Sequence, residues 1–396
     1  MEASDFGKKY LLLCLRMNKI IEGYVDAYFG PKGLQETINH EEAISPKSLM
    51  NSCKMLSYEL RSQDFVSRRM RFIQKTLDAM ETSIDIVMGK EIPYLHRVQK
   101  LYDIKPELID DSIFFNAAEK LNLLFEGRGN LIERIAASRK EREVPYDKIK
   151  YFYQKAMKIL RKRTKEFFPK LLPIQEELSL SIVTNQPWSA YNWYLGNYNS
   201  RIDINTDLPV IWTNLLPLAA HEGYPGHHTH NVVREKLLYN ERNWFEHSIL
   251  LVPTPAAVIS EGIGNTGIDS LFTPREKAKI ALDNLCPIPD QEDLELNIAQ
   301  NSAWKAFGGF SGNIAIHAHV DEWSDEKLIN YGMKFEIYSE NRIKQQLKFI
   351  RDPLWSTYVF NYFIGEKLIK KKYGENPSID DFKKLLTHPF LPSDLI

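Results

Sequence analysis

Apolar residues recur at three- and four-residue intervals through most of the chain, the period of helices with one buried face. The pattern runs from residue 5 to about residue 172, in stretches such as FGKKYLLLCLRMNKIIEGYVDAY and YDKIKYFYQKAMKILRKRTKEFF. Gly30 with Pro31, Ile92 with Pro93, and the GRGN of 127–130 mark predicted helix boundaries. Between about 177 and 207 the period shortens to two. SLSIV and RIDIN alternate there, and LGNYNS reads as a hairpin turn, so a small antiparallel sheet is predicted. Helical periodicity returns near Leu215 and continues almost to the last residue, interrupted at PIPD (287–290), GGFSG (308–312) and GENPS (374–378). The predicted class is therefore mainly α, with neither an internal repeat nor a low-complexity tract.

At 396 residues the chain is long enough for about two lobes. The breaks divide it into an N-terminal helical part (1–175), a sheet with the helices that follow it (176–275) and a C-terminal helical part (276–396). A net charge of -1 provides no field for nucleic acid or acidic lipid, and neither is expected as a partner. Cys14, Cys53 and Cys286 are far apart and form no metal-binding pair, so buried apolar thiols are expected. The apolar run YLLLCL is bracketed too closely by Asp5, Lys8, Lys9 and Arg16 for a secretory segment, and no stretch is long enough to span a bilayer. A cytoplasmic location is the expectation. The basic runs RKRTK (161–165) and KKK (370–372) fall in helical pattern and read as solvated faces.

One segment concentrates chemistry. AAHEGYPGHHTHNV (219–232) holds four of the chain's ten histidines. Zinc peptidases with H-E-x-x-H place two imidazoles one helical turn apart, with the Glu as general base. Here His221 and Glu222 are followed by Gly223, Tyr224, Pro225 and Gly226, and the next imidazoles are His227 and His228. In an unbroken helix a residue seven positions on lies about 10 Å along the axis, too far to share an ion. Pro225 lacks the donor to residue 221 and pushes Tyr224 out of helical conformation, so two helical pieces meeting at a kink are predicted, with Pro225 opening the second. His221 would then converge with His227 or His228. His227 comes first because it is H-E-x-x-H with two residues inserted, but the spacing leaves both open.

A third ligand must come from elsewhere, and Glu261 is the candidate. It lies in AAVISEGIGNTGIDSLF, an apolar helical segment where an unpaired acid would be costly to bury. Asp269, two turns later, is the candidate to accept the outer N–H of a ligating imidazole. A fourth position left to water would give an open catalytic site, with Glu222 placed to take that water's proton.

HEGYPGHH resembles the signature H-E-x-x-P-G-H-H of domain-of-unknown-function family 885, regarded as related to zinc metallopeptidases with a Glu third ligand. IIEGYVDAYFGP (20–31), ISEGIG (259–264) and RDPLWSTYVFNYFIG (351–365) resemble other segments of that family, although its usual Trp and Ala after E-G are Ile263 and Gly264 here. The resemblance implies two helical lobes around a long cleft with the metal at its floor. It implies His221, His227 or His228, and Glu261 as ligands, and Glu222 as base.

In zinc peptidases an extended substrate commonly pairs with a strand edge beside the metal, and SRIDIN (200–205) is the candidate edge, with Asn205 holding a substrate backbone group. Tyr358 and Tyr362 are candidate donors to a developing oxyanion. Arg351 is a candidate clamp for a terminal carboxylate. The H-x-H of IHAHVDEW (316–323) is a rival motif, found in amidohydrolase barrels. It comes late in a helical chain, so His319 and Asp321 read as a helix end and the next helix's cap, with His317 or His319 facing the cleft as the remaining option. The resulting expectation is a peptidase with one zinc per chain, acting on a peptide or small amide by metal-activated water. A metal-dependent hydrolase of small amides or esters, and a non-catalytic helical binding protein, are the alternatives. Imidazole and carboxylate ligands also accept manganese, cobalt and iron.

Overall fold

The computed structural model describes residues 4–186 and 188–396, and among them the fold is mainly α. The predicted breaks fall where helices stop. Tyr94–Tyr102 begins after Pro93, and Leu131–Glu141 begins with a reciprocal cap between Asn130 and Glu133. The first helix, Asp5–Ile20, is shorter than its periodic stretch. The chain turns at Gly23, whose φ of 76° is open to glycine, and VDAY becomes strand β1 (Val25–Tyr28) instead of a further helical turn. In GGFSG only the first two residues precede a helix, Phe310–His319.

Strands β2 (Glu177–Val183), β3 (Ala190–Gly196) and β4 (Asn199–Asn205) form one sheet in the order β2-β4-β3. β3 and β4 are the predicted hairpin. Asn197 and Tyr198 at its tip both have positive φ, as a two-residue turn matching strand twist requires. β2 departs from the antiparallel expectation, because it pairs parallel with β4 and the sheet is mixed. SRIDIN is consequently the central strand and has no free edge. β5 (Ile249–Leu251) pairs antiparallel with β1 in a separate two-stranded ribbon.

Among the described residues three apolar clusters hold the fold, and they interleave along the chain. One gathers Tyr10, Leu11, Leu49 and Leu77 with Phe245 and Ile249. A second joins Tyr102 and Phe114 to Phe310, Phe335 and Phe360. The third links Tyr153, the sheet, Trp212 and Phe382. The helix Pro255–Leu271 serves two of them, since Val258 belongs to the second while Ile259 and Ile263 belong to the third. It meets the helix Phe360–Tyr373 at backbone contact distance: a Cβ on Gly262 would lie 2.7 Å from the Gly365 carbonyl oxygen. The basic run 161–165 is not wholly solvated, because Arg161 and Lys165 reach the buried Glu176 at 2.6 and 3.2 Å. All three cysteines are buried thiols. No helix among the described residues is long and apolar enough to cross a membrane.

Candidate metal centre

The helix Trp212–Glu222 ends at the predicted kink, and the next helix is His227–Val233. Pro225 lies in the link instead of opening the second helix, which has Gly226 as its N-cap. The Gly226 N–H donates to the Ala220 carbonyl at 3.0 Å, folding the link tightly against the helix it has just left. A Cβ there would sit 2.0 Å from the His221 carbonyl oxygen, so only glycine fits. The fold-back replaces the roughly 9 Å that six residues would span in an unbroken helix with His221 and His227 imidazole centroids 4.5 Å apart, edge to face.

Glu261 completes a triangle with these rings. Its Oε2 is 3.3 Å from His221 Nε2 and its Oε1 is 3.8 Å from His227 Nε2. One ligand atom from each residue lies within 4.8 Å of the other two. Two ligands at 2.0–2.1 Å from a tetrahedral ion stand about 3.3 Å apart, so the triangle is close to the size that zinc requires. Glu261 Oε2 is buried without a hydrogen-bond partner, an orphan that a cation would satisfy. The residues present therefore fit a divalent ion.

Neighbouring groups fix which imidazole nitrogens face the triangle. Asn265 Nδ2 donates to the Tyr362 carbonyl at 2.8 Å, which leaves Asn265 Oδ1 as acceptor for His221 Nδ1–H at 3.0 Å. His221 Nε2 is thus the nitrogen that faces Glu261. Ser260 Oγ meets His227 Nδ1 at 3.2 Å, and Tyr358 donates its phenol to Glu261 Oε1 at 2.7 Å. Asp269 does not take the expected part. Its carboxylate is bound by Lys277, with Lys305 and Lys370 near by, and Asn265, one helical turn earlier, does the orienting instead. Gly264 gives the His221 ring its space, since a Cβ there would stand 2.7 Å from ring atoms.

Burial opposes charge on His221, yet the adjoining Glu261 carboxylate and the charge of Glu222 outweigh it and push the imidazole up to about 9. Burial and the charged His221 hold His227 down to about 4. Burial would raise Glu261, but the adjoining His221 and His227 and the Tyr358 phenol bring it below the usual carboxylate range. Glu222 is pushed up to about 7 by burial, with Glu261 and Asp26 adding and His221 opposing. It is 6% exposed and lines the same cleft as the triangle.

His228 is excluded from the triangle. It is fully buried on the other side, with Nδ1 2.8 Å from Ser200 Oγ and Nε2 3.1 Å from Glu176 Oε2. The Tyr224 phenol donates to the same Glu176 oxygen at 2.6 Å. Burial raises Glu176, but His228, Tyr224 and Arg161 more than reverse this and hold it down to about 2.

The remaining candidates divide. Tyr358 is brought to the site as a partner of Glu261, and Tyr362 lines the cleft with its ring centroid 5.6 Å from that of Tyr358. Asn205 is not a substrate group: it donates to the Gln186 and Trp188 carbonyls and pins the connection between β2 and β3. Arg351 is a surface residue paired with Asp325 at 2.8 Å. His319 binds the Ile350 carbonyl and stacks on Tyr94, while His317 stacks on Trp323 and bonds Asp321; neither lines the cleft. His319 does end its helix, but the following helix is capped by Ser324 and not by Asp321. Sequence reasoning missed Asp26, which accepts from Tyr191 and is pushed up to about 6 by burial, and it missed Asn192, Ser260 and Asn265. Asp26 had a signal, because it lies within VDAYFGP.

Comparison with known proteins adds the fold alone. No family model matches the chain, and no curated protein matches it. A solved structure described as "the putative lipoprotein from Colwellia psychrerythraea" is similar over 92% of this chain and 68% of its own, at 12% identity and a TM-score of 0.52.

Proposed function

We propose that the chain is a zinc-dependent peptidase with Glu222 as its general base. The observation that carries this reading is the His221–His227–Glu261 triangle, with its orphaned carboxylate oxygen, at the wall of a cleft shared with Glu222. A divalent ion held by these three residues would supply Lewis-acid polarisation of a substrate carbonyl. The protein's own groups do the rest. Glu222, facing the cleft, takes the proton of the attacking water and returns it to the leaving amine. Tyr358 and Asn265 keep Glu261 and His221 in position, and Tyr362 is the phenol available to an oxyanion. Ala190, Tyr191 and Asn192 of β3 line the cleft, so β3 takes the substrate-aligning part that the sequence assigned to SRIDIN.

The test is metal content by plasma mass spectrometry on untagged protein purified without chelator, followed by peptide-library hydrolysis. One zinc per chain is expected, lost in His221→Ala and in Glu261→Ala. Glu222→Gln is expected to retain the metal while hydrolysis falls by about 10²- to 10⁴-fold. Undiminished hydrolysis by Glu222→Gln would overturn the mechanism, and zinc retained by both ligand variants would overturn the site.

A further inference from the structure

The cleft continues beyond the triangle, where Asn231, Arg234, Glu246, Tyr10, Phe72 and Thr76 line it. His227, Asn231 and Arg234 follow one another at i, i+4 and i+7, so they share one helical face. Arg234 stands about 10 Å along the axis from His227. It is 8% exposed. Its Nε donates to His247 Nδ1 at 3.1 Å and its Nη2 to the Ile249 carbonyl at 3.3 Å, and both acceptors are neutral. The acid in this part of the cleft, Glu246, is already taken in a two-pronged pair by Arg69 at 2.7 and 2.8 Å.

Among the described residues no carboxylate forms an ion pair with Arg234. His230 and His247 do not change the balance, because burial and the Arg234 charge keep both imidazoles neutral. Two guanidinium groups therefore face one carboxylate. His247 accepts at Nδ1, so its proton is on Nε2, and that buried atom has no partner either. A buried cation with neutral acceptors only, beside an unmatched N–H donor, is costly unless an anion arrives.

We propose that Arg234 binds a substrate carboxylate, so that the cleft selects short peptides by their free C-terminus and the protein is an exopeptidase. The exopeptidase assignment rests on the peptidase reading above; the carboxylate site does not. An extended chain advances about 3.3–3.6 Å per residue, so 10 Å places that carboxylate within about three residues of the bond at the metal centre. Arg351, the clamp suggested by sequence, is replaced by a guanidinium that the fold has desolvated in advance.

Calorimetry of the full chain in chelator removes turnover and separates this proposal from catalysis. The probes are acetyl-trialanine as its free acid, the same peptide as its C-terminal amide, and an amidated peptide carrying one aspartate. The free acid is expected to bind on the order of 10- to 100-fold more tightly than the amide, the span of a charge-assisted bond. Arg234→Gln should erase the preference, and Arg234→Lys, which retains the charge if glutamine fails to fold, should keep part of it. Equal binding of acid and amide, no binding of either, or a preference surviving in folded Arg234→Gln would overturn the proposal. An aspartyl amide as tight as the free acid would assign the carboxylate to a side chain and overturn the exopeptidase part.

Discussion

His227 and His228 are neighbours in sequence and opposites in environment. His227 is a corner of a triangle in which a carboxylate oxygen lacks a partner. His228 faces Glu176, whose oxygens are engaged by Tyr224, His228, Arg161 and Lys165 with no atom to spare. Both clusters are buried carboxylates with imidazoles, so burial and residue type do not distinguish them. Completeness does. A saturated polar cluster fixes a fold, and an unsaturated one keeps a vacancy in its bonding that something else must fill.

The sharpest way to break the comparison is to open the saturated side. Glu176→Gln replaces the buried carboxylate shared by Tyr224, His228 and the half-exposed Arg161 and Lys165 with a neutral amide, and is expected to cost about 2–3 kcal/mol in urea unfolding, while the folded fraction keeps its metal. The same residue gives a pH signature. Its folded pKa, about 2, lies below the ordinary 4.5, so its stabilisation is complete above about pH 4.5 and is lost as pH falls toward 2. The variant's stability should be correspondingly flatter over that window; an unchanged acid limb would refute the assignment.

A milder perturbation acts on the unsaturated side. Asn265→Leu removes the acceptor of His221 Nδ1–H and is expected to weaken zinc binding about 10- to 100-fold in competition with a chromogenic chelator. Unfolding of the metal-free protein should change far less than for Glu176→Gln. The smallest expected effect comes from Gly264→Ala. Its methyl crowds the His221 ring, costing about 1–3 kcal/mol by thermal unfolding, together with weaker zinc affinity. Unaltered stability and affinity would mean that the ring has room to retreat.

Much of this was legible beforehand. The helical period gave the mainly α class, and LGNYNS gave the hairpin, because both are local signals. His221, Glu222 and Glu261 were legible through spacing and the cost of an acid in an apolar helix. The choice between His227 and His228 was not, since it depends on how tightly Gly226 folds against His221 and on Glu176, 52 residues away from His228. Asn265 and Asp269 both lie on the Glu261 helix, and only lysines arriving from other segments show that Asp269 is occupied. The parallel pairing of β2 and the buried position of Arg234 are likewise tertiary facts. Alternation in a strand reveals its two faces but not its neighbours.

The helix Pro255–Leu271 is embedded in two apolar clusters at once and locked to Phe360–Tyr373 through Gly262 and Gly365. The position of the Glu261 carboxylate is therefore tied to the packing of both clusters. The remaining cluster, built round the first helix, contributes Tyr10 and Ile249 to the cleft wall. The three clusters thus meet at one cleft, and its wall is complete only when all three are packed.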